Sequence, residues 1–112
     1  MPKGEALGEF EHIVLLAVLR LRDDAYGMSV RREIHDRTGR DVAIGAVYAT
    51  LERLATKGLV TTTVSDPTPQ RGGRAKRSFH LTGAGVEALR RTRADLDAML
   101  DGVVLPAPRG SR

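Results

Sequence analysis

At Gly58 the chain changes its hydrophobic period, and few folds accommodate such a change. Upstream, "GAVYATLERLATKG" spaces Val47, Leu51, Leu54 and Ala55 three and four residues apart, as one face of a helix. Immediately downstream, "LVTTTV" (59–64) is rich in the β-branched residues that suit a pleated strand. A helix must therefore stop at Gly58, a residue able to take the left-handed conformation that ends helices, and a strand must start at once. The next stretch, "SDPTPQRGGRA", holds two prolines and two glycines, which favour an exposed loop over a helix or a central strand. Residues 76–81, "KRSFHL", then return as a second strand, so the middle of the chain reads as helix, strand, loop, strand.

Two further helices precede this unit. From Gly8 to Arg22 apolar residues recur at helical spacing on one side (Phe10, Ile13, Val14, Ala17, Val18, Leu21), and Leu15, Leu16 and Leu19 fall on the other. A helix apolar nearly all round needs cover on both faces. After "RDDAYG", a shorter helix over 27–38 buries Met28, Val30 and Ile34 and ends at Gly39. Beyond the second strand, Thr82 is placed to cap a last helix from about Gly83 to Val103.

This order predicts a mainly α fold with a small β-hairpin: a winged helix-turn-helix followed by a C-terminal dimerisation helix. The expected organisation is a DNA-binding domain over 7–82, a dimerisation helix over 83–104 and a mobile tail over 105–112. In a winged helix the third helix enters the major groove of duplex DNA. With Ile44, Val47, Leu51, Leu54 and Ala55 turned inward, its outer face is Gly45, Ala46, Ala49, Glu52, Arg53 and Thr56. Small residues let the backbone approach the groove, Arg53 is suited to phosphate or guanine, and Tyr48 borders both faces with its hydroxyl free to reach phosphate.

Charge is concentrated where the wing should be. Residues 1–58 hold nine Lys/Arg against nine Asp/Glu, whereas residues 59–82 hold four against one. Those four are Arg71, Arg74, Lys76 and Arg77, set around the glycine pair at 72 and 73. A glycine-tipped basic turn can enter a narrow minor groove, where arginine is favoured by the negative potential.

The last helix presents Val86, Leu89, Leu96, Leu100 and Val103 in a three-four seam, with Arg93 in the position between Leu89 and Leu96. With Phe10, Leu15, Leu16 and Leu19 of the first helix, this seam is the expected interface of a two-fold homodimer.

Other chemistry is poorly supplied. Without cysteine there is neither disulfide nor thiolate, and the amino terminus has no signal-like apolar core, so a cytoplasmic location is expected. His12, His35 and His80 are scattered, with no metal or cofactor site implied. No convergent acid, base and nucleophile is visible, and "RGGR" lacks the strand-to-helix setting and lysine of a P-loop. The pattern therefore predicts a non-enzymatic DNA binder, the alternative being a winged-helix module that docks proteins.

Four stretches, "LGEFEHIVLLAVLRL", "AYGMSVRREIHDRTGRDV", "GAVYATLERLATKGLV" and "GGRAKRSFHLTGAGVEAL", together resemble the PadR-type transcriptional regulators. The resemblance implies a winged-helix DNA-binding half and a C-terminal helix that pairs with the first helix of a partner subunit. It also implies repression of a nearby promoter, often relieved by a small-molecule effector. Carried onto this chain, Tyr26 and Gly27 open the second helix, Gly45 and Tyr48 mark the recognition helix, and Gly72 to Arg77 form the wing. Ala49 stands where the family often has proline, and Phe79 where tyrosine is common. A single short helix after the wing and the lack of tryptophan also differ from relatives whose interface aromatics sandwich a flat ligand.

Overall fold

The computed structural model describes residues 7–64 and 76–108. Its elements are α1 (Glu9–Leu21), a 3-10 turn (Arg22–Asp24), α2 (Gly27–Thr38), α3 (Ile44–Thr56), β1 (Val60–Val64), β2 (Arg77–Leu81) and α4 (Gly83–Leu100). This is the predicted order.

Local chemistry explains where the helices begin and end. The Glu11 carboxylate accepts the Gly8 N–H at 3.0 Å, closing the first turn of α1. At α2 the Tyr26 N–H donates to Ser29 Oγ at 2.9 Å, and the Ser29 hydroxyl donates in turn to the Asp24 carbonyl at 2.6 Å. Gly39 ends α2 in the left-handed region at φ 76° and returns its N–H to the His35 carbonyl. Between α2 and α3, Arg31 Nε donates to the Val42 carbonyl at 2.8 Å, which ties down the turn of the helix-turn-helix. Thr82 Oγ1 accepts the Gly85 N–H at 3.0 Å, and its hydroxyl donates to the Gly58 carbonyl at 2.7 Å. One threonine thus caps α4 and fastens it to the end of α3.

β1 and β2 pair antiparallel, with Val60 opposite Leu81, Thr62 opposite Phe79 and Val64 opposite Arg77. Ala25 and Tyr26 add a rudimentary third strand: Tyr26 bridges Ser78, and the Phe79 N–H donates to the Ala25 carbonyl at 2.8 Å. This pairing draws the start of α2 against β2. Phe79 is fully buried among Val14, Leu15, Val18, Val30, Val47, Leu51 and Leu54.

Several sequence expectations need correction. Leu15 is fully buried within the protomer, as is nearly all of Leu89, and Phe10 packs on the edge of the same core. The reason is that α1 contacts α2, α3, β2 and α4, so much of its second apolar face is covered from within. The exposed part is Leu16 and Leu19, at 40% and 43%. α4 ends at Leu100, because the turn at Asp101 and Gly102, the latter at φ 77°, leaves Val103 beyond the helix. Residues 109–112 of the expected tail lie outside the described residues. Among the described residues no helix is long and apolar enough to cross a membrane.

Candidate nucleic-acid interface

α3 buries Val47, Thr50, Leu51 and Leu54, and this rotation settles which side chains face out. Gly45, Ala49, Glu52 and Thr56, spaced four, three and four apart, run down the middle of the exposed face. Ala46 and Arg53 flank this line on one side and Tyr48 on the other. The face is shallow at its start, because Gly45, Ala46 and Ala49 project almost nothing. The Ala43 carbonyl accepts the Ala46 and Val47 N–H groups, but this N-cap residue has no side chain able to satisfy those of Ile44 and Gly45, which leaves these two open to an anion.

Tyr48 is held by α2. A Cβ on Gly27 would lie 2.2 Å from Tyr48 Cζ and 2.5 Å from its hydroxyl oxygen, so the ring occupies the space that the glycine leaves. Tyr26, one residue earlier, carries the Lys76 ammonium 4.1 Å from its ring centroid. Arg77 lies over the Phe79 ring, 5.1 Å from its centroid, and its Nη1 donates to Glu52 Oε2. Start of α2, exposed face of α3 and base of the wing thus form one surface containing Tyr26, Tyr48, Glu52, Lys76 and Arg77. The bond from Arg77 holds the Glu52 carboxyl below the usual carboxylate range, and Glu52 in turn raises the Arg77 guanidinium. Arg71, Gly72 and Arg74 lie outside the described residues.

Arg53 is more constrained than its exposed position suggests. Its Nε donates to Glu11 Oε2 at 3.0 Å and its Nη2 reaches Thr50 Oγ1 at 3.4 Å; Lys57 Nζ donates to the same Glu11 oxygen at 3.0 Å. Glu11 is only 7% exposed, so a nearly buried carboxylate on α1 fixes two cations of α3. Burial raises the Glu11 pKa, but hydrogen bonds from the Gly8 amide, Lys57 and Arg53 outweigh it, and the net shift is downward from 4.5.

The stability consequence has a definite sign. A carboxylate with a depressed folded pKa stabilises the fold above its unfolded value, and that contribution is lost as pH falls through the folded value. Glu11→Gln should therefore cost about 1–2 kcal/mol near neutrality, with the gap from the parent protein closing as pH falls below the usual carboxylate range. Urea unfolding across the acid range checks this. A gap that stays constant with pH would mean that the charge of Glu11 contributes nothing.

Glu11, Lys57 and Glu52 were absent from the site predicted by sequence. Glu52 was visible on the outer face, but its partner lies 25 positions away, and the partners of Glu11 lie 42 and 46 away. No local spacing signals such pairs.

On the opposite side of α1, Leu16, Leu19, Leu96 and Leu100 line an open groove of about 500 Å³ between α1 and α4, with Arg93 at its edge. Val86 is also exposed on α4. Among the described residues no cluster of His, Asp or Glu could hold a metal ion.

The description "Transcriptional regulator PadR-like family" fits residues 15–91 of this chain. No curated protein matches it. A PadR family transcriptional regulator from Eggerthella lenta superposes with a TM-score of 0.67 at 25% identity, covering 85% of this chain and 82% of its own. RosR of H. salinarum superposes at 0.61 with 26% identity, covering 94% and 84% respectively. A PadR family transcription regulator from Clostridium difficile, at 20% identity, shares the fold with a TM-score of 0.65 over 82% of this chain and 95% of its own. The family match over most of the chain and the winged helix with its exposed α3 lead to one conclusion: the chain belongs to the PadR-like family and is a transcriptional regulator with a DNA-binding fold, not an enzyme.

Proposed function

We propose that this regulator is a homodimeric repressor that occupies a pseudo-palindromic operator in double-stranded promoter DNA. The observation that carries the reading is the single surface formed by the small-residue face of α3 and the wing-base cations Lys76 and Arg77. Gly45, Ala46 and Ala49 let α3 lie deep in the major groove, while Tyr26, Tyr48 and Arg53 reach phosphates beside it. Arg71, Gly72, Arg74, Lys76 and Arg77 follow the backbone or the adjacent minor groove.

A dimer completes this arrangement. Leu16, Leu19, Val86, Leu96 and Leu100 expose apolar surface on α1 and α4, and a partner's α4 is the natural cover for the groove between them. Residues 7–82 then bind DNA and residues 83–104 hold the two subunits together, with Arg93 and Val103 at the margin. Two-fold symmetry would set the two α3 helices roughly 34–36 Å apart, one turn of duplex. A small-molecule effector that altered this subunit packing would release DNA by changing that separation.

The test is to retain genomic fragments on the purified protein, sequence them and measure the mass of the bound species. The expected result is a two-fold motif bound by a dimer, with affinity falling steeply as salt rises, by about 0.9 of slope per phosphate neutralised. Equal affinity for all duplexes would reject sequence-specific repression and favour a protein-docking module.

A further inference from the structure

Among the side chains down the middle of the α3 face, Gly45 and Ala49 have no group that could hydrogen-bond a base edge, and Thr56 sits at the last position of the helix. Glu52 is the long one. Arg53, the other candidate, lies to one flank and has two of its nitrogens committed to Glu11 and Thr50. The residue best placed to read sequence is therefore an acid. An unpaired carboxylate in a bed of phosphates would weaken binding to every duplex alike.

Glu52 is not unpaired. Arg77 occupies Oε2, and among the described residues it is the only donor to this carboxylate, which leaves Oε1 able to accept another hydrogen bond. The arginine also offsets the charge, so the carboxylate can approach the DNA without a bare negative charge. A carboxylate that enters the major groove has one matching base donor, the N4 amino group of cytosine. Building on the DNA-binding role proposed above, we infer that Glu52 is a specificity-determining residue: it accepts the N4–H of a cytosine in each half-site. Arg77 is its positioning residue, bridging the wing and the reading helix.

Selection from a random duplex pool, run in parallel on the parent protein and on Glu52→Ala and Glu52→Gln, tests this. The parent should select cytosine at one position of each half-site. Glu52→Ala should accept any base there and bind the parental operator about 5- to 100-fold more weakly. Glu52→Gln should move the preference at that position toward adenine, the base that glutamine matches with paired hydrogen bonds. Arg77→Ala should relax the choice at the same base pair as well as lowering the salt slope, whereas loss of a phosphate contact alone would lower the slope and leave the motif intact. If both Glu52 variants select the parental motif and bind every duplex more tightly, Glu52 is only a repulsive charge, and the inference fails while the repressor reading stands. If the parent selects no motif at all, both fail together.

Discussion

Gly85→Ala should destabilise the protein by about 3 kcal/mol, which for a domain of this size lowers the melting temperature by roughly 10–20 °C. The added Cβ would sit 2.3 Å from the carbonyl oxygen of Leu59 and 2.8 Å from Leu81 Cδ1. A side chain could rotate away from such a contact. A carbonyl cannot, and this one already accepts the Thr82 N–H at 3.1 Å, so relief requires α4 to lift from Leu59, just before β1, and to strain the Thr82 cap. The usual helix-propensity gain of about 1 kcal/mol from glycine to alanine is too small to offset the overlap. Gly83→Ala is the control, because its Cβ would meet nothing within 4 Å and the change should be neutral or slightly stabilising. Thermal unfolding at one fixed protein concentration compares them, since any dimer makes the midpoint concentration-dependent. Equal midpoints would mean that Gly85 of α4 does not pack this closely against Leu59 and Leu81.

Ala49→Glu should reduce operator affinity by about 100-fold or more while leaving the melting temperature within a few degrees of the parent. Ala49 lies on the centre line of α3 beside Gly45 and Glu52, where a close approach to DNA depends on the absence of side-chain bulk. A second carboxylate there adds bulk and a charge with no Arg77 to offset it, and a loss of about 3 kcal/mol corresponds to that fold-change. Its effect on folding is small because glutamate is a good helix former and the position is exposed. Fluorescence anisotropy with the retained promoter fragment measures the first effect and circular dichroism the second. Undiminished affinity would remove α3 from the DNA and turn attention to docking of a protein.

The same residues show why an acidic side chain could be seen in the sequence and still be passed over. On a helical wheel Glu52 is one polar residue of an outer face, and Arg53 attracts notice as the cation beside it. In the folded chain their situations are exchanged: α1 brings Glu11 up to Arg53, and β2 brings Arg77 up to Glu52. The basic cluster of the wing was legible by charge alone, but the partner of its last member was not.

The helices of this protein, their ends and the hairpin were set by local chemistry, and local chemistry is written in neighbouring residues. Gly39 and Gly58 stop helices because they take φ values near 76° and 77°, Thr82 starts one because its hydroxyl oxygen receives an N–H three residues on, and the β-branched run after Gly58 suits only a strand. Which apolar residues remained on the surface was decided only by tertiary packing. Leu15 and Leu16 are adjacent leucines of one helix, yet the first is sealed in the core and the second opens on a groove, because α1 is contacted by α2, α3, β2 and α4 and only part of its circumference is left over. The charge pairs were decided in the same way. Glu11 with Arg53 and Lys57, and Glu52 with Arg77, join residues far apart in the chain, and proximity of that kind comes from how the elements pack and not from any spacing along them.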